Sequence, residues 1–201
     1  MNNNKSLTID EVFNLAIKNH REGKTDIAQN LYNKILEINP NHSPALNNIA
    51  IIFTNLKDFK KAKECYEKAI TINPNYADAY NNLGVTSKEL GEIEKAKECY
   101  EKAIELNPNY ADAHYNIGII FKGLGEIEKA KECFEKAITI NSNHVNAHYN
   151  LGVISKELGE IEKAKECYKK ATELNPNYAD AHNNLGVIFK ELGENQKAKE
   201  C

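Results

Sequence analysis

The sequence predicts an all-α fold in which antiparallel helix pairs follow one another along the chain as a solenoid. The first observation is a period: Cys65, Cys99, Cys133, Cys167 and Cys201 recur at intervals of 34 residues, and a fixed interval of this size is typical of repeat proteins. The second is that each period contains two apolar stripes with helical spacing. Because neither helix can bury its stripe alone, each pair must pack against its neighbours.

The repeat from residue 77 to 110 shows how each helix is predicted. Its first helix has apolar-face residues at i, i+4, i+7 and i+11, namely Ala79, Leu83, Thr86 and Leu90. Gly91 follows and suits a left-handed helix end. The second helix carries Ile93, Ala96, Tyr100, Ala103 and Ile104 on one face. Pro108 prevents its continuation, because proline lacks the N–H and clashes with the preceding turn.

The same reading divides the whole chain. Residues 1–8 are polar and predicted to be disordered, and Thr8 with Glu11 forms a capping box at the first helix. The predicted repeats are 9–42, 43–76, 77–110, 111–144 and 145–178, and 179–201 is a truncated sixth repeat. Lys57 stands where other repeats have glycine at the turn.

Glycines also occur inside the first helices of the third, fourth and fifth repeats, at Gly84, Gly118 and Gly152. Such a glycine costs about 1 kcal/mol against alanine. We expect the cost to be offset by a close approach of the paired helix, at Ala96, Ala130 and Ala164 respectively.

These motifs resemble a known family. Tyr80-x-x-Leu83-Gly84, then Ala96-x-x-x-Tyr100 and then Pro108, is similar to the tetratricopeptide repeat. The resemblance covers about residues 9 to 201, although the tryptophan place of the family holds Tyr80, His114, His148 and His182. It implies a right-handed α–α superhelix whose concave groove is lined by one side of the first helices.

On that side of the first helices, equivalent positions form four rows along the chain. The asparagine row is Asn14, Asn48, Asn82, Asn116, Asn150 and Asn184; the apolar row is Ile17, Ile51, Val85, Ile119, Val153 and Val187; the lysine row is Lys88, Lys122, Lys156 and Lys190; the aspartate row is Asp78, Asp112 and Asp180, interrupted by Asn146. We take these rows as the candidate peptide-binding groove.

The asparagine row suits a peptide backbone, because an amide offers both a donor and an acceptor. An extended peptide rises about 3.3 Å per residue, so one asparagine per ~10 Å meets roughly every third residue. The row is similar to one in the superhelix of O-linked N-acetylglucosamine transferases, where it holds substrate peptides. The sequence therefore predicts a non-catalytic scaffold for a peptide or protein partner. An equally open interpretation is that asparagine is family consensus kept for solubility or folding.

Three other functions are alternatives. The chain could be the substrate-recruiting arm of a glycosyltransferase-like enzyme whose catalytic domain lies beyond residue 201. A carboxylate clamp resembles Lys-x-x-x-Asn on the first helix, and no repeat supplies it; the corresponding pairs are Phe13/Ile17, Asn47/Ile51, Asn81/Val85, Tyr115/Ile119 and Asn183/Val187. Nucleic-acid binding is suggested only by the lysine row.

Composition argues against several classes of protein. The net charge of −3 gives no attraction to phosphates or anionic lipid, and no apolar run reaches the roughly 18 residues of a membrane span. No C-x-x-C spacing or catalytic motif is present, so we expect no metal, no cofactor and no enzyme activity. Unpaired cysteines favour a cytoplasmic setting, and the uncapped C-terminal end suggests weak self-association.

Overall fold

The computed structural model describes residues 7–200. Most of the segment predicted to be disordered, and Cys201, lie outside this range. Within it the regular structure consists of twelve helices and no strand, and the first helix of each pair begins 34 residues after the previous one. The predicted all-α fold of antiparallel helix pairs is therefore confirmed.

The helices form two compact units that divide between Asn107 and Pro108. Unit 1 contains α1 (Ile9–Arg21), α2 (Thr25–Ile38), α3 (Ser43–Asn55), α4 (Phe59–Ile72), α5 (Ala77–Glu89) and α6 (Ile93–Leu106). Unit 2 contains α7 (Ala111–Gly123), α8 (Ile127–Ile140), α9 (Val145–Glu157), α10 (Ile161–Leu174), α11 (Ala179–Glu191) and α12 (Asn195–Glu200).

Side-chain caps fix where several helices begin. The predicted capping box of α1 is confirmed: the backbone N–H of Glu11 donates to Thr8 Oγ1 at 3.2 Å, and Thr8 N–H donates to Glu11 Oε2 at 2.8 Å. His144 caps α9 with Nδ1, which accepts from the Ala147 N–H at 3.2 Å. Such caps satisfy backbone donors that have no partner within the helix.

Each first helix ends in a left-handed turn. The glycine at this place in the third repeat, Gly91, has φ 78°, and Lys57 adopts φ 60° in the second repeat. In both turns the residue after the left-handed one bonds back to the helix: the Glu92 N–H donates to Ser87 O at 2.9 Å, and the Asp58 N–H donates to Phe53 O at 2.9 Å. Lys57 therefore occupies a backbone conformation that suits glycine.

Replacing Lys57 with glycine is expected to raise the free energy of unfolding by about 0.5–1 kcal/mol. The left-handed conformation costs a non-glycine residue roughly 1–2 kcal/mol, and the greater freedom of glycine in the unfolded chain offsets part of that gain. Urea unfolding followed by circular dichroism measures the change. The reverse substitution, Gly91→Lys, is the matched control and should lose a similar amount. A lower urea midpoint for Lys57→Gly would contradict this account.

Within each unit, the core lies inside helix pairs and between successive pairs. In unit 1, buried Ala62, Tyr66 and Ala69 of α4 share one cluster with Ala79 and Leu83 of α5. In unit 2, Ala164 and Tyr168 of α10 share a cluster with Leu185, Ile188 and Phe189 of α11. Burial of each large apolar side chain contributes about 1.5–3 kcal/mol, so the second helix of one pair and the first helix of the next stabilise each other.

The close approach at the mid-helix glycines is present, but the expected partner was wrong. A Cβ placed on Gly84 would lie 2.6 Å from the ring of Tyr100, and one on Gly118 would lie 2.8 Å from Phe134. Gly152 meets Tyr168 in the same way, at 2.8 Å. The aromatic side chain one turn after the predicted alanine therefore fills the space that glycine leaves.

Candidate functional site

In unit 1 the asparagine row takes part in a relay of amides between neighbouring first helices. Asn82 Nδ2 on α5 donates to Asn47 Oδ1 on α3 at 3.4 Å, and Asn47 Nδ2 donates to Asn48 Oδ1 at 3.3 Å. Asn48 Nδ2 then donates to the Tyr32 hydroxyl on α2 at 3.2 Å. Asn47 is buried and the two row members are half-buried. The relay fixes the orientation of Asn48 and Asn82.

A cavity of about 320 Å³ lies beside Asn48 and is formed by side chains of α1, α2 and α3. It is lined by Ile17, His20, Arg21, Tyr32 and Asn48. Burial lowers the pKa of His20, which favours its neutral form. The apolar and asparagine rows thus meet in a concave surface of unit 1. Asn14, the first member of the row, is exposed on α1.

In unit 2 the asparagines also bond to neighbouring groups. Asn184 Nδ2 on α11 donates to the Tyr149 hydroxyl on α9 at 3.4 Å. Asn150 Nδ2 donates to the Asn146 carbonyl at 3.0 Å, and its Oδ1 accepts from Lys122 Nζ at 3.3 Å. Asn116, Asn150 and Asn184 are all half-buried. The row therefore has a structural role, and it lies at the edge of solvent in both units.

The apolar row is partly accessible. Val85 in unit 1, and Ile119 and Val153 in unit 2, are half-buried, whereas Val187 is 43% exposed. Ile51 packs against the core cluster of unit 1, and Val153 packs against that of unit 2. These side chains thus belong to the core on one side and to the surface on the other.

The charged rows are partly neutralised. Lys156 Nζ lies 3.5 Å from Glu191 Oε1, and Lys88 Nζ lies 3.8 Å from Glu89 Oε1. Asp112 Oδ1 lies 3.3 Å from His144 Nε2, and this hydrogen bond lowers the pKa of the Asp112 carboxyl. Because His144 Nδ1 accepts from the Ala147 N–H, the ring proton in this pair lies on Nε2, which donates to the Asp112 carboxylate. Asp78 is exposed on the first turn of α5.

The histidines in the family's tryptophan place bind the preceding loop. Nε2 of His114, His148 and His182 lies 3.0, 2.9 and 3.0 Å from the carbonyl oxygens of Pro108, Ser142 and Pro176, respectively. Each ring therefore fastens the start of its own helix to the loop before it. Among residues 7–200, no group of three or more His, Cys, Asp or Glu side chains has an arrangement that could hold a metal ion.

Sequence reasoning missed three tyrosines of unit 2. Tyr115 and Tyr149 are half-buried on α7 and α9, next to the asparagine row, and Tyr178 is half-buried before α11. The equivalent position in earlier repeats holds Phe13, Asn47 and Asn81. This change from amide to aromatic at one repeat position was the signal in the sequence that could have identified Tyr115 and Tyr149.

Stacked helix pairs that present equivalent side chains along their first helices define a helical-repeat scaffold for protein interactions. Family models agree with that class. Models described as tetratricopeptide repeat match residues 43–76 and 111–144, and 65–98 and 133–166; a model described as TPR repeat matches 87–125 and 154–193. The chain belongs to the tetratricopeptide repeat family, as its motifs predicted.

Solved structures of the same fold support this assignment. MamA is 29% identical with a TM-score of 0.69, covering 82% of this chain and 96% of MamA. YrrB, described as a TPR protein with an unusual peptide-binding site, is 25% identical to this chain with a TM-score of 0.68. The match covers 84% of this chain and 87% of YrrB. PilF from Pseudomonas aeruginosa is 23% identical with a TM-score of 0.87, covering 94% of this chain and 86% of PilF, and shows the fold alone.

A match to a protein of known sequence is shorter. Over 41 residues the chain is 51% identical to the uncharacterized protein ycf37 of Pyropia yezoensis, which corresponds to 20% of this chain and 23% of that relative. In the part of the chain that the structure describes, none of the helices has the length and apolar content needed to cross a membrane.

Proposed function

We propose that this chain is a non-catalytic scaffold that binds an extended segment of a partner protein along the first helices of its repeats. The observation that carries the proposal is that hydrogen bonds within the fold orient the asparagines of this row. Asn82 uses one N–H in its bond to Asn47, and an amide also has a second N–H and a carbonyl oxygen. An amide oriented beforehand loses little conformational entropy when it bonds to a peptide.

The similar proteins support the general part of this proposal, a scaffold for protein interactions. Repeats of this family are typically non-catalytic scaffolds for other proteins, and YrrB is titled as having a peptide-binding site. The cavity beside Asn48 and the half-buried apolar row supply concave and apolar contact area next to the amides. Peptide recognition combines backbone hydrogen bonds, which give affinity, with side-chain contacts, which give specificity.

The triple variant Asn82→Ala, Asn116→Ala and Asn150→Ala tests the proposal. A binding peptide is first selected from a display library against the full chain, and its affinity is then measured by titration calorimetry. We expect at least a tenfold weaker affinity in the variant, because each lost peptide hydrogen bond contributes about 0.5–1.5 kcal/mol. Circular dichroism checks that the variant remains folded.

The matched control replaces exposed glutamates in the same three repeats, on the opposite helix of each pair: Glu98→Ala, Glu132→Ala and Glu166→Ala. This control should retain the affinity of the unmodified chain. If the asparagine variant is folded and binds the peptide as tightly as the unmodified chain, the row is structural only and the proposed groove is wrong.

A further inference from the structure

Tyr115, Tyr149 and Tyr178 form one aromatic surface in unit 2, which we call the tyrosine surface. The rings of Tyr149 and Tyr178 have centroids 4.9 Å apart, and Tyr115 lies 4.7 Å from the ring of His144. Tyr149 also packs at 5.9 Å against the buried ring of Tyr168. These contacts hold the tyrosine rings in fixed orientations while leaving each ring half-buried.

The tyrosine surface has hydroxyl groups that can act as donors. Burial raises the pKa of Tyr178, so its hydroxyl is protonated at neutral pH. The Tyr149 hydroxyl accepts a hydrogen bond from Asn184 Nδ2. Because its oxygen is the acceptor there, its own proton remains to be donated. Burial also raises the pKa of Tyr115, so its hydroxyl keeps its proton at neutral pH.

A surface of half-buried aromatic rings that carry O–H donors favours a particular kind of peptide. Proline residues have no N–H, so a proline-rich peptide offers carbonyl acceptors and apolar rings only. Its polyproline II helix has fully solvated carbonyls, and aromatic-lined grooves are the usual receptors for it. An ordinary extended peptide would also bring N–H groups that need acceptors, whereas the Tyr149 oxygen already accepts a hydrogen bond from Asn184.

The spacing of the surface also matches this ligand. Polyproline II has three residues per turn and rises 3.1 Å per residue, so one turn advances about 9 Å. Packed helices lie roughly 8–10 Å apart, and Tyr115 and Tyr149 occupy the same position in successive repeats. One turn of the peptide therefore advances by about one repeat, and every third residue meets a tyrosine.

Charge at the edge of the surface adds a preference. Lys122 Nζ bonds to the neutral Asn150 amide, whereas the equivalent Lys156 is paired with Glu191. The Asn150 amide carries no charge to balance that of Lys122. An acidic side chain of a ligand would provide a negatively charged partner for Lys122. Unit 1 differs, because the positions equivalent to Tyr115 and Tyr149 there include Asn47 and Asn81, which are only 4% and 6% exposed.

We propose that the tyrosine surface binds a proline-rich segment of a partner protein in the polyproline II conformation, with an acidic residue of that segment at Lys122. This inference rests on the proposed function and specifies the ligand of unit 2. The tyrosines supply stacking and O–H donors, and the half-buried Ile119 and Val153 supply apolar contact beside them.

The test measures binding of a nine-residue peptide, four prolines on each side of a central aspartate with both ends blocked, to the full chain by titration calorimetry. We expect saturable binding. The double variant Tyr115→Phe and Tyr149→Phe keeps both rings and should weaken it about 25-fold, since each hydroxyl hydrogen bond corresponds to roughly fivefold in affinity. Tyr115→Asn with Tyr149→Asn, which introduces the residues of unit 1, should abolish it.

Controls separate the alternatives. Glu98→Ala, at an exposed position of unit 1 outside the asparagine row, should leave binding of this peptide unchanged, and a glycine–serine peptide of the same length and charge should not bind. No saturable binding of the proline peptide, equal binding by the folded tyrosine variants, or binding of single-stranded oligouridylate in its place would overturn the inference. If the proline peptide fails while the asparagine triple variant still loses its selected peptide, the proposed scaffold function stands and only this inference falls.

Discussion

Replacing Gly84 with leucine is expected to lower the free energy of unfolding by about 2 kcal/mol. The new side chain must enter space occupied by the ring of Tyr100, which is 0% exposed and lies 2.6 Å from the position of a Cβ on Gly84. Overpacking of a core costs typically 1–3 kcal/mol, whereas the gain in helix propensity recovers only about 1 kcal/mol. Urea unfolding at pH 7 measures the difference.

The same substitution at an open helical glycine is the matched control. Gly123 lies at the end of α7 with nothing within 4 Å of a Cβ, so Gly123→Leu should keep or slightly raise the stability. A double-mutant cycle with Tyr100→Ala should show coupling of about 1 kcal/mol or more, because removing the ring relieves the collision. An unchanged urea midpoint for Gly84→Leu would show that the ring does not occupy this space.

The sequence predicted the helices well because their signals are local. The apolar spacing, Gly91 and Pro108 each act within one helix or one turn. The partner predicted for Gly84 was wrong because the identity of the partner depends on the direction of side chains. Helical side chains lean toward the N-terminus of their helix. The ring of Tyr100 therefore covers the surface one turn earlier, next to Ala96, and a count of positions alone placed the alanine there.

The sequence predicted which repeat positions form the candidate site, but it did not predict the hydrogen-bond partners of those residues. Equivalent positions identified Asn82 and Asn150 as members of one row, and the structure places both as half-buried residues. Their partners differ, Asn47 in one case and Lys122 in the other, because neighbouring repeats differ at positions that the row does not include. The orientation of Tyr149 could not be predicted, because it depends on the rings that pack against it, and these belong to another helix and a loop.

Alkaline pH is expected to destabilise the chain through its buried cysteines well before the tyrosines ionise. Burial raises the pKa of Cys99 in unit 1 and of Cys167 in unit 2 from 9.0 to about 11. The unfolded chain releases these protons near pH 9, whereas the folded chain retains them. The stabilisation is therefore fully present below pH 9 and is lost as the pH rises from 9 to 11. Tyr66 follows later, since burial raises its pKa to about 12.

Between pH 8 and pH 10 we expect each of these two thiols to remove about 1.4 kcal/mol from the free energy of unfolding. Urea titrations at both pH values, with a reductant present, measure the loss. Cys99→Ala with Cys167→Ala should reduce it by about 3 kcal/mol, because alanine has no proton to release. Ile120→Val is a core truncation without a titrating group, so it should lower stability equally at both pH values. If the cysteine variant loses as much stability as the unmodified chain, ionisation of other groups drives the alkaline transition, and desolvation of these thiols contributes nothing to it.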